Sequence, residues 1–206
     1  MSVAHGEHLE LAEEGHGAST GRSMEWWGMI LFIASEALIF ANFIAAYLYL
    51  EIRNWNTAWK LPSDITYPII NTIILICSSI PAHFAGRGIA KGNQRQLKIG
   101  LSLTILMGAV FLGGQVVEYS GLFGDSFKPD TSIFGSAFFT LTGFHGLHVT
   151  VGAIFLLICL IRSMRGDFTA KKHFAVQAAE MYWHFVDIVW IIVFSMIYLT
   201  PLLLGR

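Results

Sequence analysis

Polar residues along this chain are gathered between five apolar stretches, roughly Trp26–Tyr49, Tyr67–Phe84, Ile99–Leu122, Ile133–Ile161 and Phe174–Leu204. At 1.5 Å rise per residue, each is long enough to cross ~30 Å of hydrocarbon as a helix. Backbone groups in a bilayer find no water, so a spanning segment must be a helix or a strand of a closed barrel. Unbroken apolar runs lack the alternation a barrel requires. The pattern predicts an all-α bundle of five transmembrane helices spanning residues 24–206. Residues 1–23 read as a separate polar, disordered cytoplasmic tail.

The fifth stretch carries Glu180, His184 and Asp187 inside an otherwise apolar run. Positions 180, 184, 187 and 191 fall along one helix face, so these groups form a stripe that a neighbouring helix can cover. Lipid is a poor cover, because a charged group at the bilayer centre costs ~2.5–3.5 kcal/mol. The bundle is therefore expected to pack around this helix. Glu36, in the first stretch, lies ten residues past Trp26, and His184 lies ten past Phe174, so both sit ~15 Å deep from one side. They could meet near the midplane. Glu36 would then share a proton with His184; otherwise His184 bonds a carbonyl or a Ser hydroxyl.

Charge sets the orientation. Arg87, Lys91, Arg95 and Lys98 fall between stretches two and three, and Arg162, Arg165, Lys171 and Lys172 between four and five. The other connections hold only Arg53, Lys60 and Lys128, which predicts a cytoplasmic N-terminus and an external C-terminus. Trp26 and Trp27 at one end of the first stretch, with Tyr47, Tyr49, Trp55 and Trp59 at the other, match interfacial anchoring.

Composition adds that 54% of residues are hydrophobic and 13% charged, as in a polytopic membrane protein. A formal net charge of −1 argues against a nucleic-acid partner. Cys77 and Cys159 lie within apolar runs and read as reduced, small hydrophobes.

The fourth stretch contains FFTLTGFHGLHVTVG, with His145 and His148 three positions apart among glycines that permit close helix approach. Four intramembrane histidines, His83, His145, His148 and His184, are too few for a haem-plus-metal reaction centre, so no metal site is expected. Glu118, on a face with Gln115, is expected near the outer surface as an interfacial structural carboxylate. No internal repeat suggests an inverted-repeat transporter.

Four motifs in order and register, MILFIASEALIF around Glu36, GQVVEY at 114–119, FFTLTGFHGLHVTVG at 138–152 and YWHFVDIVW at 182–190, closely resemble subunit III of haem-copper terminal oxidases, most of all the cytochrome c oxidase type. The resemblance implies a non-redox core subunit of a proton-pumping, O₂-reducing complex of the respiratory chain. It would pack on the haem-bearing subunit I, alongside subunits II and IV, in a bacterial plasma membrane. Haem and copper would reside in those partners, with only phospholipid bound to this chain. By motif match, Glu36 is the family's buried carboxylate, while His148 and Arg162 are assigned to lipid binding. His145, Glu180, His184 and Asp187 would complete an intramembrane polar network. Mitochondrial-type members have seven helices, and the first two have no counterpart in this reading. Subunit III of a quinol oxidase, an accessory protein of nitric oxide reductase, an independent proton carrier and a bis-histidine cytochrome are the alternatives.

Overall fold

The computed structural model describes residues 23–54 and 65–203. Among them there is no strand, and the chain runs through α1 (Met24–Arg53), α2 (Thr66–Ala90), α3 (Gln94–Gly124), α4 (Ile133–Met164) and α5 (Phe174–Phe194). A π turn over Ser195–Leu199 and a last helical turn, α6 (Thr200–Leu203), extend α5. All five long helices, counting α5 through Leu199, are apolar and long enough to cross a membrane. The predicted tail, and the anchors Trp55 and Trp59, lie outside the described residues.

Local chemistry sets the helix starts. Ser23, Asn93 and Ser132 each accept a hydrogen bond from a backbone N–H of the first turn, satisfying donors that the helix itself cannot. Gly92, at φ +77°, turns the chain between α2 and α3 within three residues. The helices outrun the apolar stretches because their charged ends continue helical past the hydrocarbon. Arg87 therefore sits in the last turn of α2, Arg95 and Lys98 lie on α3, and Arg162 lies in the last turn of α4.

Helix α5 is the hub. It packs against α1, α2 and α4, and 61% of its apolar window is buried, against 6% for α1. Trp183 and Trp190, at most 1% exposed, fill the centre. Each indole N–H donates to a hydroxyl on α2: Trp183 to Ser78 at 2.8 Å and Trp190 to Thr72 at 3.0 Å. These bonds satisfy the only polar atom of each ring while burying its apolar area. Trp183 is admitted because Gly108 on α3 and Gly152 on α4 lie beneath it. A Cβ at Gly108 would stand 2.6 Å from the ring and one at Gly152 3.0 Å.

The packing sets up an internal control, since a Cβ at Gly113, also on α3, meets nothing within 4 Å. Gly108→Val should cost ~1–3 kcal/mol or more through overpacking, and Gly113→Val should cost little. Thermal denaturation of the two variants side by side checks this, with the lower midpoint expected for Gly108→Val.

Candidate functional site

Glu36 on α1 and His148 on α4 meet in a nearly closed pocket, with Glu36 Oε2 2.9 Å from His148 Nε2. Their side chains are 19% and 10% exposed. The rings of Phe40 and Phe144 pack against the imidazole, at centroid distances of 4.8 and 4.5 Å. Of the two readings open for His184, the structure shows the bond to a Ser hydroxyl, that of Ser79, and not the contact with Glu36. His148 is the partner, because α4 rather than α5 carries an imidazole to the face of α1 that holds Glu36.

Geometry also assigns the proton. His148 Nδ1 lies 2.8 Å from the Phe144 carbonyl oxygen, which can only accept, so Nδ1 carries hydrogen. Nε2 facing a carboxylate oxygen then requires one more hydrogen between them. Either neutral Glu36 donates to Nε2 or imidazolium donates to carboxylate. In both forms the pair carries one shared proton and no net charge, the arrangement that the low-dielectric interior tolerates best.

His145 stands apart from the expected polar network. Both ring nitrogens are buried without a hydrogen-bond partner among the described residues. The ring stacks on Trp190 at 4.6 Å, with Phe111 edge-on at 6.0 Å. One turn of α4 separates a fully engaged histidine from one enclosed by aromatic rings.

A second cluster joins α2 to the polar stripe of α5. Ser79 Oγ donates to Asp187 Oδ2 in a short bond and lies 2.9 Å from His184 Nδ1. Having given its hydrogen to the carboxylate, Ser79 accepts from Nδ1–H, which leaves His184 Nε2 facing Glu180 Oε1 at 3.7 Å. His83 Nδ1 on α2 approaches the same Oε1 at 2.8 Å. The cover that the stripe needs is therefore α2, through Ser79 and His83. Ser79 did not stand out in sequence and His83 only as an intramembrane histidine, because the partners lie about a hundred positions away along the chain.

Glu118 is held inside the bundle near the C-terminal end of α3. It is 7% exposed, and accepts from Gln115 Nε2 at 3.0 Å and from the Tyr198 hydroxyl at 2.6 Å. Tyr198 belongs to the π turn that extends α5, an irregularity the apolar pattern does not reveal.

Arg162 lies at the opposite end of α4 from Ser132. Its Nε donates to Asp167 at 3.2 Å, and its guanidinium lies 5.1 Å from the Phe168 ring centroid. Gly166, at φ +82°, folds the chain back so that Asp167 reaches Arg162. An open cavity of about 490 Å³ is lined there by Glu25, Arg162, Asp167, Phe168, Lys171 and Lys172, among others. Fourteen residues of helix place His148 ~21 Å from Arg162 along α4. His148 also has both nitrogens engaged, so the structure does not bring these two residues to one lipid headgroup.

These features define a polytopic helical membrane protein whose buried acids pair with imidazole, hydroxyl and amide groups inside the bundle. The family model for cytochrome c oxidase subunit III matches residues 10–201. A cytochrome c oxidase subunit 3 from Thermostichus vulcanus is 42% identical over 176 residues, covering 84% of this chain and 85% of the relative. Subunits of the same name from Coturnix japonica and Rattus norvegicus are 39% and 40% identical, over 90% and 84% of this chain and 73% and 68% of theirs. The chain belongs to the cytochrome c oxidase subunit III family, the third subunits of haem-copper oxidases. It is a multi-pass membrane protein that functions within a complex of other subunits.

The shared proton predicts a graded response at Glu36. Glu36→Gln keeps a donor for His148 Nε2, whereas Glu36→Ala leaves a buried acceptor unpaired at ~1–3 kcal/mol. Thermal denaturation should rank wild type and Gln close together and Ala clearly below.

Proposed function

We propose that this chain is the non-redox core subunit III of a proton-pumping oxidase in a bacterial plasma membrane, reducing O₂ to water with cytochrome c as electron donor. The observation that carries this reading is the family match across nearly the entire bundle. In the complex the chain packs on subunit I, with subunits II and IV alongside, and haem and copper stay in those partners. The largely uncovered face of α1 supports a partner there, since its apolar window is only 6% buried within the chain. The Arg and Lys residues at the ends of α2, α3 and α4 support a cytoplasmic N-terminus.

The chain's own contributions are stabilisation, lipid retention and support of proton uptake. Arg162, Lys171 and Lys172 around the 490 Å³ cavity suit the phosphate of a phospholipid at the cytoplasmic headgroup level. His148 is assigned instead to the pair with Glu36. Glu36 and His148, holding one proton between them, and the stripe of Glu180, His184 and Asp187 support proton uptake by subunit I rather than a redox step.

Lipid analysis of the purified complex tests this division of labour. Arg162→Ala combined with Lys171→Ala should lose co-purifying phospholipid by mass spectrometry while the haem spectrum stays normal. His148→Ala should keep the lipid. Unchanged lipid in the first variant, or specific proton flux through the chain alone in liposomes, would contradict the reading.

A further inference from the structure

We propose that His83, Glu180 and His184 form a binding site for a divalent transition-metal ion of the zinc class. The three side chains offer ligand atoms that all lie within 4.8 Å of one another. Glu180 Oε1 stands 2.8 Å from His83 Nδ1 and 3.7 Å from His184 Nε2. A tetrahedral zinc ion with bonds of ~2.0–2.1 Å spaces its ligand atoms ~3.3 Å apart, so small side-chain adjustments close the site around an ion. Two imidazoles and a carboxylate, without thiolate, suit zinc and its neighbours better than calcium or magnesium.

The surroundings support these ligands as a metal site needs. Glu180 and His184 stand one turn apart on the rigid hub helix. Gly86 on α2 makes room for the carboxylate, since a Cβ there would lie 2.0 Å from Glu180 Oε2. Behind His184, Ser79, whose own hydrogen goes to Asp187, accepts the Nδ1 hydrogen and leaves Nε2 as the outward lone pair. Such outer partners fix the tautomer and aim of ligating histidines. His83, with a side chain 56% exposed, is the adjustable third ligand.

Access comes from an open cavity of about 380 Å³ lined by Trp26, Gln177, Glu180, Met181 and His184. It leaves room for a water molecule as fourth ligand. An ion entering there displaces the hydrogen held between His83 and Glu180, so uptake is accompanied by proton release. The Glu36 pair offers no comparable site, because it has two residues, both imidazole nitrogens engaged and little exposure.

Equilibrium dialysis of the chelator-stripped oxidase complex against radioactive zinc tests the assignment. Wild type should bind one equivalent more than either His83→Ala or Glu180→Gln, and Ser79→Ala should weaken that equivalent ~10- to 100-fold. His83 is half-exposed, so His83→Ala decides the matter even where Glu180→Gln disturbs assembly. X-ray absorption of the difference zinc should give a shell of nitrogen and oxygen at ~2.0–2.1 Å. Equal zinc binding by wild type and His83→Ala, or a sulfur-containing shell, would overturn the proposal.

Discussion

Inside a bilayer a polar group without a partner in the protein is costly, and this constraint organises the bundle. Helix α5 brings the densest load of such groups into the hydrocarbon: two indole N–H groups, an imidazole and two carboxyls. All five are met by α2, through Thr72, Ser78, Ser79 and His83. The order of packing follows from this. Helix α2 must lie against α5 for chemical reasons, and α3 and α4 then close on Trp183 through glycine. Helix α1 adds the polar tie from Glu36 to His148 and keeps most of its surface for lipid or another subunit.

The same constraint produces two sites of different character. Glu36 and His148 are enclosed by aromatic rings and satisfy each other with one proton. A pair of that kind stabilises a helix contact and can pass a proton without leaving a bare charge. The cluster on α2 and α5 lies nearer the positively charged helix ends and opens to a cavity. Its groups are aimed outward by Ser79 and Asp187, so it can exchange with solvent or an ion. A nearly closed pair and an open cluster suit the proposed non-redox role, the first holding the bundle and the second meeting its surroundings.

The fold was legible in the sequence because hydrophobic runs and the absence of water around the backbone leave few solutions. The stripe on α5 was legible too, as a periodicity. Partners were not, since depth fixes how far along its helix a residue lies but not which way that helix is rotated. Glu36 and His184 were estimated at equal depth, yet they face different neighbours. His83 and Ser79 carry no local mark of their role, because it depends on packing a hundred residues away. The partner of Glu118 was hidden for a related reason: Tyr198 lies in the π turn, which apolar composition does not encode.

The account holds that this chain's buried acids serve packing and proton support, while the obligatory chemistry belongs to its partners. Steady-state O₂ reduction by the Glu36→Gln complex, normalised to haem content, tests that most directly. Glutamine keeps the bond to His148 but cannot carry the shared proton through ionisation. The account predicts a normally assembled complex that retains most of its turnover; loss of turnover with haem content and subunit stoichiometry intact would place Glu36 on an obligatory proton route and contradict it.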